Sequence, residues 1–274
     1  VGIYSSLDGP KELHDNNRKF LNGRGSYNKV VRWIKKIRKR NKVGINALIT
    51  TTKDSLKYPL EIIKTYEELK LKKVWLRFLN NLGFALNSWK KISYDSEEYL
   101  EFWKKIIEYI YKETEFYEIS SWIMILKILT DTVPMYLDLM SPCGAAIGQL
   151  AYHYNGEIYS CDEGRMLGED IFKLGNVFDH SYKQVLTSVK TCNLIECSIN
   201  DNFLCNECIY QPYCGVCPVN CYAATGNILP QIPHDTRCKI LMGQFDYLFE
   251  KILFDKKFNS NMKKRKMINP YYLE

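Results

Sequence analysis

Ten cysteines are the residues of this 274-residue sequence most able to do chemistry, and all of them lie between Cys143 and Cys238. The densest group has the spacing Cys-x2-Cys-x5-Cys-x2-Cys and comprises Cys205, Cys208, Cys214 and Cys217. Cysteine thiolates bind metal centres, and close spacing lets one loop wrap around such a centre. We therefore expect this segment to carry special chemistry, whereas the first 142 residues, which lack cysteine, form an ordinary folded layer.

Three arrangements could use these cysteines. A disulfide framework is typical of short secreted chains, whereas this chain is long and its first residues do not resemble a secretory leader. Zinc ribbons place two Cys-x2-Cys units about 15–20 residues apart, but here five residues separate Cys208 from Cys214. Iron–sulfur clusters fit better, because a cubane cluster takes four thiolates and ten cysteines can supply two such sets.

The segment before the cysteines alternates predicted strands and helices. Strands are predicted at 2–7, 43–51 and 74–79, and helices at 27–40, 56–71 and 95–112, with Ser26 and Ser96 as N-caps. This order implies parallel strands joined by right-handed crossovers, which is an α/β layer. Three strands are too few to close a barrel, so we expect the layer to be half of something larger.

The cysteine-rich segment has shorter elements. A connecting helix is predicted at 119–129, and helices are predicted at 181–190 and 236–253. Residues 150–154 and 157–160 predict a hairpin, because the Asn155-Gly156 pair between them is a strong signal for a two-residue turn.

The cysteine pattern resembles that of a known domain. Cys143-x12-Gly156-x4-Cys161, the group that begins at Cys205, and the final Cys238 resemble the SPASM domain, the auxiliary-cluster module of radical S-adenosylmethionine (SAM) enzymes that mature peptides and proteins. Upstream, SLDGP (6–10), HD (14–15) and GRGSY (23–27) resemble the fourth strand and following helix of the radical SAM partial barrel. More narrowly, SPCGAAIG (141–148), CDEGRM (161–166) and YCGVCPV (213–219) resemble the His-Xaa-Ser system maturase, B component.

This resemblance implies an α/β fold with four parts. Residues 1–118 would be the C-terminal half of a radical SAM partial (β/α)6 barrel, 119–140 a linker helix, 141–254 a small α+β SPASM domain and 255–274 a basic tail. The Cys-x3-Cys-x2-Cys loop that binds the SAM-cleaving cluster in the family is not in this sequence. We expect that loop to precede Val1 in a longer protein, and we expect this chain alone not to cleave SAM.

The resemblance also implies two auxiliary [4Fe-4S] clusters. Cys143, Cys161 and Cys217 would bind the first cluster. The second cluster would take Cys205, Cys208, Cys214 and Cys238. The family has three residues where this sequence has two between Cys214 and Cys217. The fourth ligand of the first cluster is therefore open between Cys192, Cys197, Cys221 and a vacant position; the predicted ligand set includes Cys197.

Three further residues gain roles from the resemblance. Ser6 would contact polar groups of SAM, and Arg77 would meet its carboxylate, with a structural ion pair as the alternative for Arg77. Asp162 matches a proton-accepting Asp of sulfatase maturases of this class, where a carboxylate beside a cluster takes a proton as the substrate is oxidised. The alternative for Asp162 is a turn or helix cap.

The implied function is a radical SAM maturase that modifies a peptide by hydrogen abstraction, with SAM and a third [4Fe-4S] cluster in the full-length enzyme. Implied partners are a peptide or protein substrate, an electron donor such as ferredoxin or flavodoxin, and a paired radical SAM protein, in the cytoplasm. The alternative is a non-enzymatic iron–sulfur or zinc module that docks a partner protein.

Charge and hydropathy exclude other classes. The tail from Lys251 holds five of the seven net positive charges, and the basic run 29–42 has apolar residues at helical spacing. We interpret that run as the solvated face of a helix, so no nucleic-acid partner is expected. No apolar stretch approaches the roughly 20 residues that a membrane span needs.

Overall fold

The computed structural model describes residues 3–40, 44–129, 139–199, 203–230 and 235–264. The chain divides into two compact units. The first unit comprises Val1–Leu79, Lys90–Leu126 and Gly243–Glu274, and the second comprises Asn80–Trp89 and Lys127–Met242. Within the described ranges, no helix is both long and apolar enough to cross a membrane.

The first unit contains a parallel four-stranded sheet in the order β1-β2-β3-β4. Its strands are β1 (Ile3–Ser6), β2 (Ile45–Thr50), β3 (Lys73–Arg77) and β4 (Tyr117–Glu118). The predicted α/β class with a parallel sheet is thus confirmed. The strand β4 was not predicted, because two residues are too few to show a period-2 pattern.

Helices of the first unit connect and cover these strands. They are α1 (Lys11–Asn17), α2 (Tyr27–Arg40), α3 (Pro59–Glu68), α5 (Ser96–Glu113) and α6 (Ile119–Leu129). A further helix, α4 (Phe84–Ile92), follows β3 and was not predicted; most of it belongs to the second unit. The predicted helix 56–71 is shorter than expected, because a separate 3-10 turn (Ser55–Lys57) precedes Pro59.

The two faces of the sheet differ in burial. One face is mostly apolar and is buried in the two central strands, as at Ala47, Ile49 and Val74. The strand order advances in one direction, so right-handed crossovers place the connecting helices on a single face. The opposite face is only partly covered and carries polar and aromatic side chains, including Tyr4 and Trp75, whose rings meet edge-on at 6.4 Å. We call this second face the open face.

The predicted cap of α5 is wrong, whereas Ser26 does stand at the N-cap position of α2, where its carbonyl accepts the Val30 N–H at 3.1 Å, although its side chain does not cap the helix. Asp95, not Ser96, caps α5: its carboxylate accepts the Glu98 N–H at 2.8 Å, and the Glu98 carboxylate accepts the Asp95 N–H at 3.0 Å. At α2, the Ser26 hydroxyl donates to the carbonyl of Arg18 at 2.8 Å. The Asp15 carboxylate accepts the Tyr27 N–H instead, at 2.8 Å. Carboxylates serve well here because a helix N-terminus favours negative charge.

The C-terminal part of the chain is helical in α12 (Thr236–Phe254) and α13 (Lys256–Lys264). Part of the predicted basic tail is therefore packed, since Phe258 of α13 is 1% exposed and its ring centroid lies 4.8 Å from that of Tyr111 of α5. The Asn261 side chain donates to the carbonyl of Tyr111 at 3.0 Å. The remaining tail, 265–274, lies outside the described residues.

An ion cluster joins the end of α12 to α5. The Glu108 carboxylate accepts from the Tyr247 hydroxyl at 2.6 Å and pairs with Lys251 at 3.1 Å and with Lys112. Burial raises the pKa of this carboxyl, but hydrogen bonds from these three partners outweigh it and lower the pKa to about 2.

The second unit contains an antiparallel sheet of β5 (Ala151–Tyr152), β6 (Glu157–Tyr159) and β7 (Lys173–Asn176). The predicted hairpin is confirmed, and Gly156 in its turn has φ +86. The strand β7 and the division of 181–190 into two helices were not predicted. Its helices are α7 (Asp162–Leu167), α8 (Tyr182–Leu186), α9 (Val189–Cys197), α10 (Phe203–Asn206) and α11 (Pro218–Thr225), together with the first part of α12.

Candidate functional site

The carboxyl ends of the parallel strands bring two predicted residues together. Ser6 ends β1 and pairs in register with Leu48, whereas Arg77 ends β3 and pairs with Thr50. Laterally paired residues of a sheet point to the same face, so Ser6 and Arg77 share the open face. One strand and two residues along the strand direction separate them, which places their backbones about 12 Å apart at a strand spacing of about 4.8 Å and a rise of about 3.3 Å per residue. Ligands bind at this edge of parallel sheets.

A buried polar network holds the turn that follows Ser6. Asp8 is 1% exposed and accepts two hydrogen bonds from Arg18, at 2.7 and 3.0 Å. The Asp8 N–H donates to Nδ1 of His14 at 3.2 Å, and Nε2 of His14 lies 3.0 Å from the Ser26 hydroxyl. Burial lowers the pKa of His14, and the Asp8 charge opposes that shift. This network fixes the backbone next to Ser6 in one conformation.

The structure places the first three predicted cluster ligands in one core. Cys143 and Cys161 belong to the same buried cluster, and Cys217 packs against it. We call these three the first cysteine group. Cys161 is the N-cap of α7, where its sulfur accepts the Gly164 N–H at 3.3 Å. The Cys143 N–H donates to the Ser198 hydroxyl at 3.0 Å.

Cys205, Cys208, Cys214 and Cys238 form what we call the second cysteine group. Burial raises the pKa of Cys214 to about 11 and that of Cys238 to about 12, and the charges of Cys205 and Cys208 push both pKa values in the same direction. Cys205 and Cys208 share one turn, since the Cys208 N–H donates to the Cys205 carbonyl at 3.0 Å.

Both groups suit a bound metal cluster. Burial likewise raises the pKa of Cys161 to about 12, with the charge of Cys217 adding to the rise. With pKa values raised this far, the thiols of Cys161, Cys214 and Cys238 stay protonated at neutral pH unless a metal takes the place of the protons. The residues present therefore fit iron–sulfur clusters, whose positive irons would stabilise the thiolates.

The state and the positions of the cysteines can be compared with the two other predicted arrangements, a disulfide framework and a zinc site. All ten cysteines lie in the described part of the chain and are free thiols. Among the described residues, no three His, Cys, Asp or Glu side chains form a group that could hold a single metal ion. A cubane cluster presents four irons, so its thiolates need not converge on one point.

Asp162 is the first residue of α7, directly after Cys161. Its carboxylate is 62% exposed and pairs with the Arg165 guanidinium at 2.5 Å. The position is consistent with both predicted roles, since an acidic residue also stabilises the first turn of a helix.

The remaining predicted candidates for the fourth ligand of the first cluster differ in position. Cys192 is exposed and Cys197 half-buried, and both lie on α9. Cys221 is buried on α11. Arg237 was not considered from the sequence, although it precedes Cys238; it is 7% exposed, and its charge lowers the pKa of Cys214 and Cys221 against the effect of burial.

Sequence comparison finds relatives of this chain among known proteins. No protein-family profile matches the chain. The chain is 28% identical over 257 residues to the cysteine-type anaerobic sulfatase-maturating enzyme of Clostridium novyi (strain NT), covering 92% of this chain and 64% of that enzyme. It is 24% identical over 284 residues to the serine-type anaerobic sulfatase-maturating enzyme of Bacteroides thetaiotaomicron, covering 94% of this chain and again 64% of the relative.

Solved structures agree in fold. Native anSMEcpe with bound AdoMet superimposes with a TM-score of 0.76 at 22% identity, over 96% of this chain and 69% of that chain. Native anSMEcpe with bound AdoMet and Cp18Cys peptide gives a TM-score of 0.77 at 21% identity, over 96% of this chain and 70% of that chain.

The fold is therefore the α/β fold with a parallel sheet that these AdoMet-bound structures have. The homologues of this chain are anaerobic sulfatase-maturating enzymes, and its predicted resemblance to radical SAM maturases of the SPASM type is confirmed. The narrower resemblance to the His-Xaa-Ser system maturase stays a prediction.

Proposed function

We propose that this chain is the greater part of a radical SAM maturase that modifies a cysteine or serine residue of a peptide or protein. The observation that carries the proposal is the packing of Cys143, Cys161 and Cys217 at one buried core of the second unit, because thiols brought together in this way call for a metal cluster. Homology to both the cysteine-type and the serine-type sulfatase-maturating enzymes supports the reaction class.

The open face of the sheet supplies the proposed SAM site. Ser6 would hold polar groups of SAM, and the Arg77 guanidinium would pair with its carboxylate, since both lie at the carboxyl edge of the same face. The Asp8–Arg18 pair and His14 keep the turn after β1 rigid, so the Ser6 backbone is positioned before the ligand arrives. When bound, SAM and its own cluster supply hydrogen abstraction from the substrate side chain.

The second unit supplies the remaining groups. The first and second cysteine groups would each hold an auxiliary [4Fe-4S] cluster, which accepts or relays an electron. Asp162 would take a proton from the substrate as it is oxidised, because its carboxylate is exposed beside Cys161. An electron donor such as ferredoxin or flavodoxin, and a paired radical SAM protein, complete the proposed partners.

Metal analysis tests this function directly. After reconstitution with iron and sulfide in the absence of oxygen, the chain should bind about eight irons. Its absorbance spectrum should show a band at about 400 nm, as expected for two cubane clusters. The same reconstitution carried out with zinc in place of iron is the matched control. A protein that takes one zinc and no iron would instead support the non-enzymatic zinc module.

A further inference from the structure

His14 is a buried histidine of α1 with a hydrogen-bond partner at each ring nitrogen, and it is 0% exposed. Its Nδ1 accepts the Asp8 N–H at 3.2 Å, and its Nε2 lies 3.0 Å from the Ser26 hydroxyl. That hydroxyl donates its single proton to the carbonyl of Arg18 at 2.8 Å, so it accepts a hydrogen bond from His14. The contacts therefore select one form of the ring, which is neutral and carries its proton on Nε2.

A second proton on the ring would break one of these hydrogen bonds. Nδ1 of His14 would then carry a hydrogen that points at the Asp8 N–H, and two donors cannot bond to each other. A buried donor that loses its acceptor destabilises the conformation that buries it. The turn that begins at Asp8 would therefore open when His14 is protonated.

The titratable groups around His14 and this turn lie on each element packed there: Asp8 after β1, Lys11, Asp15 and Arg18 along α1, Tyr27 on α2 and Tyr66 on α3. The two carboxylates among them are already paired, Asp8 with Arg18 at 2.7 Å and Asp15 with Lys11 at 2.6 Å. Burial outweighs the attraction of these carboxylates and lowers the pKa of His14 below its ordinary value of 6.5.

The turn held by His14 borders the proposed SAM site. β1 ends at Ser6, and the Leu7 N–H still donates to the carbonyl of Leu48 on β2, at 3.3 Å. The next N–H along the chain is that of Asp8, which donates to His14 instead of to a strand. Ligands bind beyond the carboxyl ends of parallel strands, and this turn begins at that edge. The protonation state of His14 is thus coupled to the backbone beside the ligand.

We propose that neutral, Nε2-protonated His14 is the positioning residue that sets the pH range over which the site beside Ser6 binds SAM. The inference rests on the proposed function, since it takes Ser6 as part of a SAM site. As the pH falls, Nδ1 takes a proton from solvent, the Asp8 N–H loses its acceptor and the turn opens. Raising the pH returns the proton to solvent and closes the turn. The apparent affinity for SAM falls with the fraction of chains whose turn is closed.

Two substitutions that do not titrate separate the two contacts of the ring. The amide oxygen of His14→Asn lies near the place of Nδ1 and can accept the Asp8 N–H. The amide nitrogen of His14→Gln lies near the place of Nε2 and reaches towards Ser26 instead. His180→Gln is the matched control, because His180 is an exposed histidine of the second unit.

Nitrogen NMR of the full chain, labelled at its four histidines, measures the ring state, and amide exchange measures the closed turn. At about pH 7.5, above the ordinary histidine pKa, Nδ1 of His14 should be unprotonated. Protection of the Asp8 amide should fall by about 10-fold as the ring titrates. His14→Asn should keep this protection at every pH, His14→Gln should lack it at every pH, and His180→Gln should behave as the unchanged chain. The Thr51 amide, which donates to the Arg77 carbonyl at 3.0 Å, should stay protected and serves as the reference for global unfolding.

Calorimetric titration with SAM completes the test. The Kd of the unchanged chain should rise by about 5-fold or more as His14 is protonated, whereas the Kd of His14→Asn should not change. Asp8 protection that is independent of pH in the unchanged chain would overturn the inference at its first step. A turn that opens while the affinity for SAM stays constant would overturn the positioning role of His14 alone. A chain that binds no SAM at any pH would overturn the proposed SAM site together with the inference.

Discussion

Replacing Gly9 by alanine should destabilise the turn that positions Ser6. Gly9 has φ +119, a conformation that residues with a Cβ rarely adopt. A Cβ at this position would lie 2.7 Å from Cγ1 of Ile62 and 3.4 Å from its Cα. Ile62 is 0% exposed in α3, so it has no free space into which to move.

The expected cost has two parts. Backbone strain at positive φ contributes about 1–3 kcal/mol. Forcing a methyl group into a packed core contributes about 1–3 kcal/mol more. The lower entropy of the unfolded alanine chain offsets about 0.4–1 kcal/mol. We therefore expect Gly9→Ala to lower the free energy of unfolding by about 3 kcal/mol.

Gly23→Ala is the matched control. Gly23 also has positive φ, +80, but a Cβ there would meet no heavy atom within 4 Å. This variant should therefore cost only about 1 kcal/mol, the strain of a left-handed backbone less the entropic offset. Urea unfolding followed by circular dichroism measures both values, with the midpoint shifting at an unchanged m-value.

The steric reasoning has its own check in a double-mutant cycle. Ile62→Ala removes the Cγ1 atom that lies too close to a Cβ at position 9. Gly9→Ala should therefore lower the free energy of unfolding by at least about 1 kcal/mol less in the Ile62→Ala variant than in the unchanged chain. The reasoning is refuted if Gly9→Ala and Gly23→Ala agree within about 0.5 kcal/mol, or if the cycle is additive within the same margin.

Two other predictions concern carboxylates. The pKa of Glu108 is lowered to about 2 in the folded chain, so its contribution to stability is present above the unfolded value of about 4.3 and is lost as the pH falls from there towards 2. The carboxylate is 37% exposed, so solvent screening reduces the expected loss of unfolding free energy to about 1 kcal/mol. In acid unfolding, Glu108→Gln should lack this pH-dependent loss, whereas the exposed control Glu101→Gln should keep it. In a preparation that turns over a cysteine peptide with SAM, Asp162→Asn should slow the reaction by about 10²–10⁴-fold and Glu163→Gln should not; equal rates would mean that Asp162 only begins α7.

Helices and turns were predicted correctly from the sequence where a single local pattern marked the whole element. The predicted bounds of the helices Tyr27–Arg40 and Ile119–Leu129 match the structure, because apolar residues at helical spacing mark each from end to end. The Asn155-Gly156 turn likewise marked the hairpin, since few other pairs adopt its backbone angles. Cap identity was less well predicted, because Ser26 and Asp15 are both suitable residues and only the folded chain decides which one faces Tyr27.

The sequence by itself determined that this is an α/β chain, and its cysteine spacing predicts metal clusters. It did so because strand and helix periodicities and Cys-x2-Cys spacings are local properties of the chain. Tertiary structure alone decided that Ser6 and Arg77 share a face, since that depends on register across three strands. It also decided that Phe258 lies in a core and that Cys221 packs in one buried cluster with Cys205. Both positions arise from packing between segments far apart in the sequence, and no local pattern encodes such contacts.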